Sequence, residues 1–170
     1  MKRVKLEEIL KSGSCYSEDK IRGLVGKRKS ISLKNLMDMD IQDADKIWAF
    51  SHLSFVEDRE KRLFSCACAE SILHFYEAKY PGDNRPRQAI EVARRYAAGE
   101  ATIEVLSAAA TAAWEAAGAA IAAAAWEAWA AAGAATVAEK WAAARAEQVA
   151  LIRRFLETGR WYRLAGGDNV

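Results

Sequence analysis

Alanine and a few bulky apolar residues fill the stretch from Thr102 to Gln148, with little polar interruption. The large apolar members of this stretch are Leu106, Trp114, Ile121, Trp126, Trp129, Val137 and Trp141. Because alanine loses no side-chain entropy in a helix, the stretch is predicted to be helical. Its roughly 47 residues would extend about 70 Å as one helix, whereas a chain of this length folds to a diameter of about 40 Å. We therefore predict that the stretch folds back on itself.

Two glycines are candidates for the break in this stretch. Gly133 is favoured, because Thr136-Val137-Ala138-Glu139 follows it with the pattern of a capping box that opens the next helix. Gly118 is the alternative position. The tryptophans spread over about half of the helix circumference, so these helices are expected to pack between neighbours.

Short amphipathic segments precede the longer helices. None is long enough to be stable alone, so they are predicted to pack on the later helices. No segment alternates over the length of a strand, and no sheet is predicted. The predicted boundaries are a helix from Leu6 to Lys11 stopped by Gly13, a second from Ser17 to Gly26, a third capped by Ser32, and a fourth capped by Asp43.

A long amphipathic helix is predicted from Glu57 to Tyr80, followed by a proline-containing loop. Pro86 is expected at the first position of the next helix, which ends at Gly99. The fold class is therefore all-α, with short N-terminal helices packed on long, antiparallel, Ala/Trp-rich helices in one bundle. We predict one domain over residues 1–165 and a flexible tail at 166–170.

Composition narrows the class of protein. A net charge of +2 over 170 residues does not indicate a DNA-binding protein. Acidic residues such as Glu115 and Glu127 interrupt the apolar run, which argues against a membrane span. The N-terminus lacks the apolar core of a signal peptide, and three cysteines do not suit a disulfide framework, so a cytoplasmic location is predicted. The Ala/Trp faces could also pair two copies in a homodimer.

The cysteines and histidines do not form a recognisable reaction centre. Cys66 and Cys68 diverge by about 200° on a helix, so both sulfurs cannot reach one metal ion. They are interpreted as helix-packing residues, and His52 and His74 as structural histidines. No metalloprotease, phosphate-loop, serine-hydrolase or dinucleotide motif is present, so no catalytic residue, metal or cofactor is predicted.

Arginines cluster around the proline loop. Arg85 and Arg87 flank Pro86 at a predicted helix N-terminus, and Arg94 shares a face with Arg87 seven residues earlier. Such a group could bind a phosphate or carboxylate; alternatively, the arginines pair with nearby acids and only fix the loop. The acids available for that pairing are Asp83, Glu91 and Glu70. The candidate ligand- or partner-binding residues are Arg62, Tyr80, Asp83, Arg85, Arg87, Arg94, Trp114 and Trp126.

Two sequence blocks resemble a known family. The first is Arg62-Leu63-Phe64-Ser65-Cys66-Ala67-Cys68-Ala69-Glu70, and the second is Tyr80-Pro81-Gly82-Asp83-Asn84-Arg85-Pro86-Arg87-Gln88-Ala89-Ile90-Glu91. With the Ala/Trp-rich stretch that follows, the chain resembles the putative immunity protein family of bacteria and their phages. Family members often carry an acid between the paired cysteines, where this chain has Ala67. The resemblance implies a neutralising binder.

Three functions follow, in order of preference. The resemblance implies a non-catalytic protein that neutralises a toxin or a defence protein by stoichiometric binding. The arginines and tryptophans alternatively suggest sequestration of a small anionic nucleotide, such as a cyclic nucleotide immune signal. A nucleotide-processing enzyme is the third possibility, and the absence of a recognisable acid/base set counts against it.

Overall fold

The computed structural model describes residues 2–113, 115 and 134–161. Its described part is mostly helical, which confirms the all-α prediction. In chain order the elements are β1 (Val4–Lys5), α1 (Leu6–Lys11), α2 (Glu18–Val25), β2 (Ser30–Ile31), α3 (Leu33–Met37), α4 (Asp43–His52), α5 (Asp58–Lys79), α6 (Arg85–Ala97), α7 (103–113) and α8 (Ala134–Thr158).

Contacts divide the chain into two compact units. The N-terminal unit comprises the described residues up to Lys61 together with Ala144–Gly159. The central unit comprises the described residues between Arg62 and Ala143 together with Arg160 and Trp161. A single domain over 1–165 stays a prediction, and the predicted tail at 166–170 lies outside the described residues.

Capping residues and a glycine mark the ends of several short helices in the N-terminal unit. The Ser17 hydroxyl accepts a hydrogen bond from the Lys20 N–H, and Ser32 forms a capping box with Asn35. Gly26 ends α2 with a φ of 64°, a value that L-residues rarely adopt. The cap predicted at Asp43 is wrong by one residue, because Gln42 is the N-cap of α4 and Asp43 lies in its first turn.

A two-stranded antiparallel ladder joins the start of the chain to the segment after α2. Val4 lies opposite Ile31 and Lys5 opposite Ser30, and both apolar residues are buried. The prediction of no sheet is wrong in this detail. Strands of two residues are too short to show the alternation by which strands are recognised in a sequence.

The core of the N-terminal unit includes side chains from α8. Ile152 is fully buried, and Val149 and Phe155 lie three residues to either side of it on the same face. Arg153 anchors this helix to the end of α3, donating to the Asp38 carboxylate at 3.2 Å and to the Met37 carbonyl. The C-terminal part of α8 is therefore an integral part of this unit.

The central unit contains most of α5, together with α6 and α7. Cys66 and Leu73 of α5 pack with Ile90 of α6, and Ala69 and Ala93 border this cluster. Small alanines at such a contact allow two helix backbones to approach closely. Pro86 is the second residue of α6 instead of the first, since the helix begins at Arg85. Gly99 follows the helix end with a φ of 79°, as predicted.

The structure covers only part of the Ala/Trp-rich stretch. Residues 103–113 and Ala134–Thr158 are helical, whereas Gly118 and Gly133 lie outside the described residues. The capping box predicted at Thr136 is wrong, because residues 134 and 135 are already helical. Within the described residues, no helix combines the length and the apolar character needed to cross a membrane.

Candidate functional site

Asp83 ties the loop between α5 and α6 together. Its carboxylate accepts hydrogen bonds from the Tyr76 hydroxyl at 2.8 Å and from the Arg85 Nε and Nη2 at 2.9 and 2.6 Å. It also accepts a hydrogen bond from the Arg85 backbone N–H at 3.1 Å. The N-cap residue of α6 is Asn84, whose own side chain makes no capping hydrogen bond. The Arg85 guanidinium and the Tyr76 hydroxyl hold the pKa of Asp83 well below its usual range. The alternative in which Arg85 pairs with Asp83 is confirmed.

Two arginines of α6 reach two glutamates of α5. Arg87 donates Nε and Nη2 to the Glu77 carboxylate at 2.6 and 2.7 Å. Arg94 donates the same two nitrogens to Glu70 at 3.0 and 2.6 Å. Both arginines and both glutamates lie seven residues apart, so the pairs stand about two turns from each other along antiparallel helices. We call these two pairs the α5–α6 ladder.

The two pairs of the α5–α6 ladder differ in burial. The Arg94 and Glu70 side chains are 7% and 14% exposed, whereas those of Arg87 and Glu77 are 49% and 32% exposed. Arg87 lowers the pKa of Glu77 through its hydrogen bonds. The buried Arg94 Nη1 has no hydrogen-bond partner among the described residues. The ladder therefore combines a solvated pair with a pair that is shielded from water.

The sequence did not identify these partners correctly. Glu70 was among the acids expected near the loop arginines, but it pairs with Arg94, and Glu77 was not considered. Glu91, which was considered, is exposed on α6. The spacing of seven between Glu70 and Glu77, which matches that between Arg87 and Arg94, is the signal that could have found this arrangement.

Arg62 and Tyr80 lie at different aromatic contacts. The Arg62 guanidinium stands 4.6 Å from the Tyr96 ring centre, a cation–π contact between α5 and α6. Tyr80 packs its ring 4.9 Å from that of Tyr76. Arg62 and Tyr76 also line a mainly apolar groove of about 440 Å³ between the two helices.

The predicted anion site stays a prediction, and its arginines are already occupied. Arg85, Arg87 and Arg94 each hold a carboxylate in a two-nitrogen contact, so an incoming phosphate would have to compete with an intramolecular ion pair. The two tryptophans of the predicted site, Trp114 and Trp126, lie outside the described residues.

A mixed polar and apolar surface lies between α6 and α7. Gln88, Val92 and Arg95 of α6 and Val105 of α7 line a hollow of about 320 Å³. Val105 is 46% exposed; Ile103 is 53% exposed but points about 200° away from Val105 on α7. Arg95 donates to the Glu100 carbonyl at 3.3 Å and has no carboxylate partner among the described residues. We call Gln88, Val92, Arg95 and Val105 the α6–α7 surface; Val105 was not singled out from the sequence.

The remaining candidate residues have structural surroundings. Cys66 is buried with its sulfur 3.9 Å from the Ile90 carbonyl, and burial raises the pKa of both its thiol and the half-buried Cys68 thiol, the latter to about 12. His52 stacks on Trp48 with 4.5 Å between ring centres. Within the described part of the chain, no group of three or more His, Cys, Asp or Glu side chains could hold a metal ion.

Comparison with known proteins gives one match. The family model described as Imm-5 like putative immunity protein matches residues 52–140, a little over half of the chain. The match includes α5, α6 and α7 and thus both the α5–α6 ladder and the α6–α7 surface. Neither a curated protein nor a solved structure matches the chain. The resemblance inferred from the two sequence blocks is confirmed.

Proposed function

This chain belongs to the Imm-5 like putative immunity protein family, and from that membership we propose that it neutralises an effector by stoichiometric binding. The effector is a toxin or a defence protein used in conflict among bacteria or between bacteria and phages. The chain acts in the cytoplasm and without catalysis. The family match over residues 52–140 is the single observation that carries this proposal.

The α6–α7 surface is the place where we propose that the effector binds. It lies inside the family-matched residues and exposes one large apolar side chain, Val105. It also presents Arg95, whose guanidinium is not engaged by a described carboxylate. Interface centres are enriched in arginine and in apolar groups that lose water on binding, and this surface offers both kinds of group.

The α5–α6 ladder supports this surface instead of forming part of the contact. Its two ion pairs join α6 to α5, so the exposed side of α6 is held on a rigid neighbour. A rigid surface loses little side-chain and backbone freedom when it binds, which favours affinity. The ladder is therefore assigned to positioning in this proposal.

Co-expression with a panel of bacterial toxins and defence effectors tests the proposal. The chain should restore growth against its cognate effector and form a 1:1 complex on size-exclusion chromatography with light scattering. The change Val105→Glu should abolish both results, because it places a charge in a contact that loses water. Ile103→Glu is the matched control, because Ile103 is exposed on the same helix about 200° round from Val105, and it should leave both results intact.

Two outcomes would contradict the proposal. Growth restored without any complex would point to an enzyme or to removal of a signal. A complex that survives Val105→Glu but is lost with Arg87→Ala would move the binding surface to the proline loop. Calorimetric titration with a nucleotide panel distinguishes nucleotide sequestration from effector binding. Tight binding of a nucleotide in the absence of a protein partner supports sequestration.

A further inference from the structure

The N-terminal unit contains a cavity that its family membership does not explain. Its volume is about 400 Å³, and its lining residues lie between Ile9 and Leu53, almost entirely before the matched residues 52–140. Protein interiors normally have few voids larger than a water molecule. A cavity of this size instead falls in the range of small-molecule sites, about 300–1,000 Å³. The inference drawn from it is independent of the proposed effector binding.

The cavity walls are mainly apolar. Ile21 and Val25 of α2, Leu36 of α3 and Ala49 of α4 are among the side chains that line it. They come from several short helices, none of which fills the space between them. An apolar body that entered here would lose its water and gain dispersion contacts on several sides.

One polar pair interrupts the apolar wall. The Tyr16 hydroxyl donates a hydrogen bond to the Asp45 Oδ2 at 2.5 Å, and both residues line the cavity. Among the described residues, no lysine, arginine or histidine nitrogen forms an ion pair with Asp45. The neighbouring Lys46 instead lies 3.7 Å from Asp43. The wall therefore presents a carboxylate that forms no ion pair with a described residue, beside a tyrosine whose ring centre lies 4.0 Å from the Lys20 Nζ.

The pair can accept hydrogen bonds but has no proton to offer. The hydrogen bond to Asp45, together with burial, raises the pKa of Tyr16 to about 12, so its hydroxyl stays protonated at neutral pH and its proton is directed at Asp45. The remaining lone pairs of the carboxylate are acceptors. A ligand must therefore supply the donor, and an anionic ligand would be repelled.

Aromatic rings favour a cationic donor over a neutral one. Trp48 and Tyr16 both line the cavity, and Tyr16 already has the Lys20 ammonium 4.0 Å from its ring centre. The indole of Trp48 is held in place because it stacks on His52 with an angle of 14° between the rings. A positive charge close to aromatic faces is attracted by their quadrupoles, most strongly for tryptophan.

We propose that this cavity binds a small apolar amine, with the ammonium group at the Asp45 carboxylate and the hydrocarbon part between α2 and α3. The ammonium donates a hydrogen bond to Asp45, balances its charge and lies near the ring of Trp48, because Lys20 already occupies a face of the Tyr16 ring. The hydrocarbon part contacts Val25 and Leu36. The site recognises the combination of one positive charge and an apolar chain.

Calorimetric titration of the full chain with n-hexylamine, n-hexanol and hexanoate at pH 7 tests the site. Hexylamine should bind saturably and at least tenfold more tightly than hexanoate, with hexanol between them. Asp45→Asn should weaken hexylamine binding at least tenfold and leave hexanol binding unchanged. Asp43→Asn removes a charge from the same helical turn outside the cavity lining and should leave both unchanged.

A second variant distinguishes loss of the binding site from loss of folding. Ala44 lines the cavity, so Ala44→Leu should fill part of it and weaken hexylamine and hexanol alike. Amide shifts in the NMR spectrum should change at Val25 and Leu36 on addition of hexylamine and stay unchanged in α6. Any of three results would overturn the proposal. These are the absence of saturable hexylamine binding, binding of hexanoate or hexanol as tightly as the amine, and amine binding that survives both Asp45→Asn and Ala44→Leu.

Discussion

Arg94→Met would remove one partner of the buried ion pair in the α5–α6 ladder while keeping a side chain of similar length. Glu70 would then retain its carboxylate with 14% of its side chain exposed and without the two hydrogen bonds, at 3.0 and 2.6 Å, that Arg94 supplies. Removing one member of a buried ion pair costs about 3–5 kcal/mol, since the other charge remains away from water. Glu70 keeps a further interaction in the variant and is partly exposed, and both favour the lower half of that range.

Replacing both partners should recover most of this loss. The double variant Glu70→Leu and Arg94→Met leaves no buried charge, and it also removes the Arg94 Nη1 that has no partner among the described residues. A buried donor without a partner costs about 1–3 kcal/mol. The sum of the two single losses should therefore exceed the loss in the double variant, which a double-mutant cycle measures directly.

Urea unfolding followed by circular dichroism at 222 nm provides the free energies of unfolding. Arg87→Met is the matched control, because it breaks the other pair of the same ladder, with the same two-nitrogen geometry but about half of the Arg87 side chain exposed. It should leave the free energy of unfolding close to that of the wild type. If Arg94→Met and Arg87→Met had equal effects, or if the single losses simply added, burial would not be the source of the difference.

Three further predictions test other parts of the structure. Gly23→Ala, in open space inside α2, should stabilise the protein by about 0.5–1 kcal/mol in urea unfolding. Gly26→Ala, at a φ of +64°, should instead destabilise it by about 1 kcal/mol or more. If both variants changed the free energy of unfolding in the same direction, the backbone argument would be contradicted. Folding lowers the pKa of Asp83, so its contribution to stability is present above the ordinary aspartate pKa of about 3.9 and is lost as the pH falls. The difference in thermal midpoint between wild type and Asp83→Asn should therefore shrink below about pH 4. A difference that stays constant with pH would refute this. Cys15 is exposed, whereas burial raises the pKa of Cys68 to about 12. Ellman's reagent should therefore modify one thiol in the native protein. Modification that persists in Cys15→Ser would contradict this assignment.

Several predictions that rest on neighbouring residues agree with the structure. The extent of α1, the cap at Ser32 and the glycine stops after α2 and α6 were all predicted, because each depends on groups within a few residues along the chain. The cap at Thr136 failed for a related reason. Its pattern was present, but alanines 134 and 135 before it have such a high helix propensity that they are helical as well.

Features that depend on register between distant elements could not be predicted in the same way. The β1–β2 ladder joins residues that are about 26 positions apart, and each strand contributes only two residues to the pattern. Glu77 was missed because its approach to Arg87 depends on how α5 and α6 are aligned. The apolar cavity was missed because its volume depends on how α1 to α4 leave a gap between them.

The amino-acid sequence by itself determined that this protein is helical, where most of its described helices begin and end, and to which family it belongs. Those properties follow from propensity, capping and motif, which act over short distances along the chain. The tertiary structure alone decided that Arg85, Arg87 and Arg94 hold carboxylates, and that Asp45 lines an apolar cavity and forms no ion pair with a described residue. Charge neutralisation and cavity formation depend on distances between side chains that the chain brings together only when it folds.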